Sequence, residues 1–267
     1  MQLAEPVAAS WKAQLSLGFR TDAGRTILAE RSSDGPLVVQ KPLYPEGAGV
    51  CHAIVVHPPG GIAGGDDISL EVQCEGHALL TTPGAAKWYR SAGPWAKQKL
   101  RFDVAGTLEW LPRETIVYDR ALAQLECEIR LAPGAHYIGW EIVCLGRTGS
   151  GERFDGGQLK MDMRLHRGQE LVWLERGALR GGDRLMRSSV GLAGNTVFGT
   201  MLATDVSADL VARCREFAAV TLLPGLMIAR YLGCSTEEAF QRFSRLWQLI
   251  RPQVVQRAAV APRIWST

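Results

Sequence analysis

The chain has 267 residues, 46% of them apolar and 21% charged, and a formal net charge of +3. This composition is typical of a soluble globular protein, and the small positive charge without a basic run does not indicate nucleic-acid binding. No apolar run reaches the ~18 residues of a membrane helix, and residues 1–14 lack the basic and apolar blocks of a secretion signal. The six cysteines are scattered without a CxxC pair, so we expect free thiols and a cytoplasmic protein.

The first distinctive segment, residues 57–67, reads HPPGGIAGGDD and follows the apolar run at residues 53–56. Proline removes a backbone donor and fixes φ, whereas glycine allows backbone geometry that is closed to other residues. We therefore predict a loop between two strands. Such a loop could cradle a phosphate, activate a nucleophile, or hold the carboxylates of Asp66 and Asp67 for another purpose.

Four segments between residues 71 and 175 share one form, in which an alternating strand, a turn with one glycine and a second strand follow each other. Successive units are spaced by roughly 30 residues, and their turn glycines are Gly76, Gly106, Gly134 and Gly168. A single unit cannot bury its own apolar face, so neighbouring units must stack. We predict an all-β protein of stacked antiparallel or solenoid-like strand units, which form a β-solenoid or an elongated sandwich rather than a strict repeat.

Two glutamates occupy equivalent positions in the last two units. Glu141 and Glu175 each follow the turn glycine of their unit by seven residues. If the units stack in register, the two carboxylates end matching strands and come close together. Otherwise they are exposed strand-end residues that never meet. Trp140 and Trp173 beside them are expected to be core residues.

Two α-helices are predicted near the C-terminus. Ser207 can cap the first, and Ser235 with Glu238 forms a capping box for the second, which is expected to end before Pro252. The predicted apolar faces consist of Leu210, Val211, Cys214 and Phe217 in the first helix, and of Phe240, Phe243, Leu246, Trp247 and Ile250 in the second.

The stripe of the second helix either packs on the sheet or forms a docking surface for a partner. Between the helices, residues 221–232 are predicted to form one strand. No linker or low-complexity segment divides the chain, so we expect a single domain that spans residues 1–267.

The glycine-rich loop matches none of the common catalytic motifs. No glycine in the chain is followed by lysine, which excludes a P-loop. The GGIAGG run leads into two aspartates, which would repel a phosphate, and then into a strand rather than the helix of a dinucleotide site. The fragment HPPGG is loosely similar to the oxyanion loop of α/β-hydrolases, but no GxSxG motif accompanies it.

Histidine and cysteine spacing does not indicate a tight metal site. The five histidines form no HExxH motif, and in the only local cluster Cys51 and His57 would lie about 20 Å apart along an extended strand. A carboxylate pair that hydrolyses glycosides on a β-solenoid remains open as the enzymatic alternative.

Six longer motifs are spread along most of the chain. They are HPPGGIAGGDD at 57–67, TTPGAAKWYRS at 81–91, LEWLPRETIVYDRA at 108–121, WEIVCLGRTGSGERF at 140–154, LVWLER at 171–176, and LWQLIRP with APRIW between 246 and 265. In content and order they resemble the urease accessory protein UreD family, known as UreH in some organisms. Only the stretch from about residue 177 to residue 207 matches weakly.

The resemblance implies an all-β fold of stacked strands with a pair of helices, and a role that is not enzymatic. Members of this family bind urease apoprotein and assemble with UreF and the GTPase UreG into a complex that inserts nickel delivered by UreE. The ion is thought to pass through an internal water-filled tunnel. By resemblance, the chain is therefore expected to be a cytoplasmic nickel-insertion chaperone that holds no cofactor tightly and binds nickel only in transit.

By resemblance, the candidate transient nickel ligands are Asp66, Glu141 and Glu175, with Asp67 as a further candidate. Ni²⁺ binds imidazole and thiolate strongly, so a cage of histidine and cysteine would hold the ion too tightly for onward transfer. A few oxygen ligands at each position, completed by water, would let the ion arrive and leave, as in ion channels.

Two interpretations of Asp66 stay open. The glycines could turn the backbone so that Asp66 faces an interior passage, or its side chain could cap its own turn. Lys87 and Ser91 also match family positions, without an assigned role. Because a lysine beside a cation path would repel nickel, Lys87 is expected to pair with a carboxylate. Family behaviour further suggests that residues 240–250 contribute to the contact with UreF.

Overall fold

Two β-sheets share an apolar core, and helices cover the outer face of the second sheet. The computed structural model describes residues 10–266, so the first nine residues, on which the prediction of no secretion signal partly rests, lie outside the described chain. The protein is mainly β-structure, as predicted. No helix in the described part is long and apolar enough to cross a membrane.

Strands are numbered along the chain. The first sheet has seven, which in spatial order are β14 (Glu170–Arg180), β13 (Gln158–Arg167), β11 (Leu122–Leu131), β8 (Ala96–Val104), β5 (Asp67–Cys74), β1 (Lys12–Asp22) and β2 (Arg25–Asp34). The second has ten. Eight follow the order β16 (Ala219–Leu223), β17 (Leu226–Gly233), β15 (Val197–Thr204), β12 (His136–Leu145), β9 (Thr107–Trp110), β6 (His77–Thr81), β4 (Cys51–Val56) and β3 (Val38–Val39). The remaining two are β10 (Thr115–Val117), which pairs with β12, and β7 (Ala86–Trp88), which pairs with β10.

The helices are α1 (Arg184–Arg187), α2 (Ala208–Cys214) and α3 (Thr236–Val254), with 3-10 turns at Thr148–Ser150 and Arg263–Ser266. The two predicted helices are thus present, and α1 is an additional single turn that the sequence did not indicate. Ser207 Oγ accepts a hydrogen bond from Leu210 N, and Ser235 Oγ accepts one from Glu238 N, as expected for the two caps.

Three of the four predicted units stack, but not as hairpins. At each turn glycine the chain crosses from one sheet to the other, so that β5, β8 and β11 run parallel in the first sheet and β6, β9 and β12 run parallel in the second. A Cβ on Gly106 would lie 2.2 Å from the carbonyl oxygen of Gly76, because one corner sits directly on the other. For these three units the antiparallel part of the prediction is therefore wrong, whereas their parallel stacking is roughly consistent with solenoid-like units.

The fourth unit, β13 and β14, is an antiparallel hairpin that stays within the first sheet. If the fourth unit crossed between the sheets as well, its second strand would lie beside β12. Strand β15 takes this position instead and pairs with β12 in the antiparallel sense. Strand β12 is buried on both faces, because the first sheet covers one face and the helices cover the other. Tyr137 and Val143 pack between the sheets, whereas Ile138 and Trp140 pack under the helices.

The apolar stripe of α3 is covered by the second sheet. Phe243, Leu246, Trp247 and Ile250 are fully buried, and Phe240 is nearly so. The stripe therefore packs on the sheet, which is the first of its two interpretations, and a contact of residues 240–250 with UreF stays a prediction.

Three local predictions need correction. Residues 221–232 form a hairpin of β16 and β17 rather than one strand, because Pro224 and Gly225, with φ at +70°, make a turn. Helix α2 ends before Phe217, and α3 continues through Pro252 to Val254.

Candidate metal passage between the sheets

The glycine-rich loop connects β4 to β5 and is fixed to the segment around β7. Ile62 N donates a hydrogen bond to Lys87 O (2.7 Å), and Ile62 O accepts one from Tyr89 N (2.8 Å). Gly61 lies so close to Tyr89 that an added Cβ would be 2.2 Å from the ring. Only glycine leaves room for this close approach, so packing against Tyr89 and the two hydrogen bonds of Ile62 fix the position of the loop.

Asp66 is 2% exposed, and backbone groups occupy its carboxylate. Oδ1 accepts a hydrogen bond from Trp11 N (2.8 Å) and Oδ2 accepts one from Ala63 N (2.7 Å). Asp66 N in turn donates to Ala63 O (3.0 Å), which closes the turn. These hydrogen bonds support the second interpretation, in which Asp66 caps its own turn. Asp67 is half-buried at the start of β5, and its N–H donates to Trp11 O.

A cavity of about 290 Å³ lies between the sheets behind this loop. Its walls include His57, Lys87, Thr115 and Glu141. The Nε2 atom of His57 is buried and has no hydrogen-bond partner among the described residues. Burial lowers the pKa of His57, although the charge of Asp66 opposes this change, so the imidazole is neutral at pH 7 and its nitrogen can meet a cation.

Lys87 and Ser91 contribute to the rim rather than to an ion pair. Lys87 is exposed and forms no salt bridge within residues 10–266, so the expectation that it pairs with a carboxylate is wrong. Ser91 Oγ donates to Pro94 O (2.6 Å) and packs on Gly64, where a Cβ would lie 2.3 Å from that hydroxyl oxygen. Ser91 thus helps to hold the loop.

Glu141, on β12, is half-buried and lines this cavity. Its Oε1 accepts a hydrogen bond from Thr115 Oγ1 at 2.6 Å. Burial raises the pKa of Glu141 to about 7, although the hydrogen bond from Thr115 lowers it. Glu141 also lines a second, smaller cavity of about 10 Å³. Glu141 therefore lines both cavities, and its pKa lies near neutral pH.

Glu175 lies on the opposite wall of the smaller cavity. Its Oε2 accepts a hydrogen bond from Thr200 Oγ1 (3.1 Å), and Arg230 donates to both Glu175 and Thr200. The Arg230 side chain is 43% exposed, so this ion pair lies at the solvent side of the cavity. Glu141 lies on β12 in the second sheet, whereas Glu175 lies on β14 in the first.

The two glutamates therefore line one cavity, but not for the predicted reason. They do not end matching strands of stacked units. They face each other across the sandwich because β14 folds back within the first sheet, whereas β12 crosses to the second. Trp140 is a core residue as expected, and Trp173 is half-buried.

Within residues 10–266, no group of three or more histidine, cysteine, aspartate or glutamate side chains is arranged to hold a metal ion. Cys127 faces the same interior region, and burial raises the pKa of its thiol, as do the charges of Glu141 and Glu128. The thiol is therefore protonated at neutral pH and is a weak ligand.

Comparison with known proteins identifies the family. The sequence model of the family described as "UreD urease accessory protein" matches residues 12–266. The chain belongs to the UreD family. The urease accessory protein UreD of Azoarcus sp. (strain BH72) is 50% identical, with 96% of this chain and 94% of that protein covered. UreD of Dechloromonas aromatica (strain RCB) is 49% identical, with 97% and 95% covered.

Membership of the UreD family confirms the resemblance that the motifs indicated. Urease accessory proteins are maturation factors rather than enzymes, so the alternative of a carbohydrate-active hydrolase is wrong. Glu141 and Glu175 are consequently not a catalytic carboxylate pair. Their position between the sheets has to be explained by something other than turnover of a substrate.

Two of the UreD-like motifs meet in a buried ion network that the sequence did not predict. Arg251, in the C-terminal motif, donates to Glu109 Oε1 (2.9 Å) and to Glu46 Oε2 (2.7 Å). Trp247 Nε1 donates to Glu109 Oε2 (2.6 Å), and His77 Nε2 lies 2.7 Å from Glu109 Oε1. Arg251 and Glu109 are both fully buried. The network fastens α3 to β9 and to the loop before β4.

The electrostatics of this network differ from those of the cavities. Burial alone would raise the pKa of Glu109, but hydrogen bonds from His77 and Arg251 outweigh it and lower the pKa to about 2. The pKa of Glu46 is also lowered, because hydrogen bonds from His52 and Arg251 outweigh its burial. Both carboxylates stay ionised at neutral pH and are already neutralised by fixed partners, so they are structural groups.

Proposed function

We propose that the chain is a nickel-insertion chaperone of urease maturation, and that the ion in transit passes between the two sheets by way of Glu141 and Glu175. One observation carries the proposal, namely that Glu141 lines both the 290 Å³ cavity behind the glycine-rich loop and the small cavity that reaches Glu175. The two cavities thus adjoin at a carboxyl group, which is the group that a weakly held dication needs.

The ligand chemistry supports transfer rather than storage. Along the proposed path an ion meets the neutral imidazole of His57, then Glu141 with Thr115, and then Glu175 with Thr200. The larger cavity has room for several waters, which would complete the shell of the ion. Few protein ligands at each position keep the affinity low, so nickel is in transit and no cofactor is held tightly.

The proton on Glu141 can be exchanged for the passing cation. Since the pKa of Glu141 is about 7, the carboxyl group is partly protonated at neutral pH. An arriving cation favours the ionised form and displaces the proton. When the ion moves on, the proton returns, so the buried carboxylate never remains without a counter-charge.

Asp66 and Asp67 belong to the loop end of the proposed path. Asp66 holds the loop in place through its two backbone hydrogen bonds, and each of its oxygens keeps a further lone pair that can meet a cation. Asp67 is half-buried at the neighbouring position and is kept in the proposal as a further ligand.

The partners follow from the family. We propose that the whole chain, residues 1–267, acts as one unit in the cytoplasm, where it binds urease apoprotein together with UreF and the GTPase UreG and receives nickel that UreE delivers. The match of the family over residues 12–266 supports this assignment. The apolar side chains of the α3 stripe are buried, so the proposed UreF surface does not include them.

The first experiment expresses urease genes with and without the gene for this chain, and measures the nickel content and activity of the purified urease. We expect apo-urease in its absence. In the second, Glu141→Gln and Glu175→Gln are introduced singly and together, with Glu170→Gln as the matched control because Glu170 is an exposed glutamate on the same strand as Glu175. Co-purification with UreF and UreG is measured alongside.

The expected result is that the double variant assembles normally but loads little nickel into urease, while the control behaves as the wild type. Single variants are expected to have smaller effects, because water can replace one ligand. Full nickel loading by the double variant would refute the path, and loss of complex assembly would show that the two glutamates are structural.

A further inference from the structure

An open cleft lies where three parallel strands of the second sheet end. Strands β7, β10 and β12 pair in parallel, with Trp88, Val117 and Leu145 side by side in register. The residues that follow these three positions therefore emerge at one edge of the sheet. Together they border a cleft of about 600 Å³.

The wall of this cleft is aromatic and held in place by polar contacts. The rings of Tyr89 and Tyr118 meet edge to face, with their centroids 5.2 Å apart. The guanidinium group of Arg147 lies over the Tyr118 ring, 4.7 Å from its centroid, and donates to Glu152 Oε2 (2.6 Å). Glu152 Oε1 accepts hydrogen bonds from the backbone N–H groups of Asp119 and Arg147. The charge of Glu152 is thus matched by that of Arg147.

Two further arginines line the cleft with little compensation. The Arg90 side chain is exposed and makes no hydrogen bond or ion pair with any residue that the structure describes. Arg120 is 74% exposed, and its Nε lies 3.5 Å from Asp119 Oδ2. The other oxygen of Asp119 accepts hydrogen bonds from the N–H groups of Asp155 and Gly156. Guanidinium groups beside two tyrosine rings are suited to bind carboxylates.

The backbone at Arg120 indicates that its side chain has a use. Residues 118–121 form a turn that is closed by a hydrogen bond between its ends (3.1 Å), and Arg120 has a φ of +62° within it. A long side chain rarely adopts this left-handed conformation, in which glycine or asparagine is usual. Hydrogen bonds from Arg120 N to Gly156 O and from Ser91 N to Arg120 O hold the residue there. Strain of this kind persists mainly where it serves a function.

The exposure of the cleft favours a protein partner over a free anion. Tyr89 is 40% exposed, and the Arg147 side chain is 48% exposed. An ion pair between exposed groups is weak in water, so a small anion gains little here. An acidic protein segment would also cover the rings, and the exclusion of water would strengthen its ion pairs. Tyrosine and arginine are, moreover, enriched among the residues that dominate binding at protein interfaces.

We propose that this cleft is a docking site for an acidic segment of a partner protein, whose carboxylates bind Arg90 and Arg120 and whose adjoining side chains pack on the two tyrosine rings. The inference rests on the proposed function for the partners to be tested, but it does not depend on the nickel path. Ile62 O of the glycine-rich loop accepts a hydrogen bond from Tyr89 N. A docked partner would therefore lie next to the loop that borders the 290 Å³ cavity.

The test measures the affinity of purified urease apoprotein, UreF and UreG, singly and together, for the full chain by surface plasmon resonance. The cleft variant combines Arg90→Gln with Arg120→Asn, because asparagine tolerates the left-handed backbone. The matched control combines Arg20→Gln with Arg31→Gln, which removes the same charge from exposed arginines on β1 and β2. Chemical denaturation of each variant checks the fold. Arg90→Gln alone is also measured, because it removes no contact of the described fold.

We expect the wild type and the control to bind one of the three partners equally well, and the cleft variant to bind it at least about tenfold more weakly without loss of stability. Arg90→Gln alone should weaken binding in the same direction. Added salt should weaken the wild type more than the cleft variant, because the lost contacts are ionic.

Three results would overturn the inference. If the cleft variant binds as the wild type does, or if the control weakens binding equally, the cleft is not the docking site, while the proposed function stands. If sodium phosphate raises the Tm of the wild type but not of the cleft variant, and partner binding is unchanged, the cleft is a small-anion site. If the wild type binds none of the three proteins, the proposed partners fail and the inference fails with them.

Discussion

Replacement of Arg251 by methionine is expected to destabilise the fold strongly. The substitution keeps much of the apolar stem but leaves Glu109 and Glu46 buried without their shared counter-ion. The fall of the pKa of Glu109 from 4.5 to about 2 corresponds to about 3 kcal/mol in favour of the ionised form. Glu46 changes in the same direction. Loss of one partner from a buried ion pair typically costs about 3–5 kcal/mol, so the two arguments agree.

Urea unfolding followed by tryptophan fluorescence measures this loss. Arg242→Met is the matched control, because Arg242 lies on the same helix and pairs with Glu238 on the surface. We expect about 3–5 kcal/mol for Arg251→Met and less than about 1 kcal/mol for the control. Similar values for the two variants would refute the reasoning that the buried network stabilises the contact between α3 and the sheet.

The pH dependence gives an independent check on the same network. Because the pKa of Glu109 is lower in the folded chain, its stabilising contribution is fully present above the unfolded pKa of about 4.5 and is lost as the pH falls through about 2. The difference in free energy of unfolding between the wild type and Arg251→Met should therefore shrink as the pH falls from about 4.5 to about 2. A difference that does not change in acid would contradict the assigned ion pair.

Three further predictions concern the cavities and the stacked units. Burial raises the pKa of Glu141 to about 7, so the stabilising contribution of the protonated group is present below about pH 4.5 and is lost as the pH rises to about 7. Over this range, the free energy of unfolding of the wild type should fall by up to about 3 kcal/mol relative to that of Glu141→Gln, as measured by chemical denaturation. Gly106→Ala should destabilise by about 1–3 kcal/mol, because the new Cβ would meet the Gly76 carbonyl, whereas Gly84→Ala enters open space and should have little effect in the same assay. Asp66→Ala should increase hydrogen exchange of the two amides that Asp66 binds, and Asp66→Asn should protect them partly; urease activation that survives Asp66→Asn would assign Asp66 to loop capping rather than to charge.

The sequence predicted the strand units but could not tell how they cross. An alternating strand, a turn with glycine and a second strand describe a hairpin and a corner between two sheets equally well. In both cases alternate side chains face a core, so the periodicity is the same. The difference lies in what pairs with the second strand, and that partner is a neighbouring unit far away in sequence, such as β9 for β6.

The buried ion network could have been found from the sequence, at least in part. Arg251 is four residues after Trp247, so it lies on the apolar stripe of α3 rather than on its polar face. Glu109 likewise interrupts the apolar strand sequence LEWL. A charge on a buried face requires a partner, so each residue predicts that an opposite charge exists. Neither residue predicts which one, because the pair joins positions 109 and 251.

The segment that resembled the family least turned out to supply part of the cavity. Thr200 and Phe198 lie on β15, within the stretch from 177 to 207 where the motifs are weak, yet both line the small cavity with Glu175. A cavity wall of this kind needs a short hydroxyl side chain and an apolar ring, which many sequences provide. The residues that line the cavity therefore form no recognisable sequence motif. The close approach of Gly61 to Tyr89, in contrast, requires glycine and so contributes to a conspicuous motif.

Four of the carboxylates described above can be sorted by where their counter-charge sits. Asp66 is satisfied by backbone amides, and Glu109 by the fully buried Arg251, so neither can exchange its partner without disruption of the fold. No cation pairs with Glu141 among residues 10–266, and Glu175 is paired with Arg230, whose side chain reaches solvent. A carboxylate can hand a metal ion onward only if its resident partner is a proton or a mobile group, because a fixed partner leaves the ion nothing to replace. By this criterion the proposal favours Glu141 and Glu175 for transfer, whereas Glu109 holds the helix on the sheet. Asp66 fixes the loop and has only its further lone pairs to offer a passing ion.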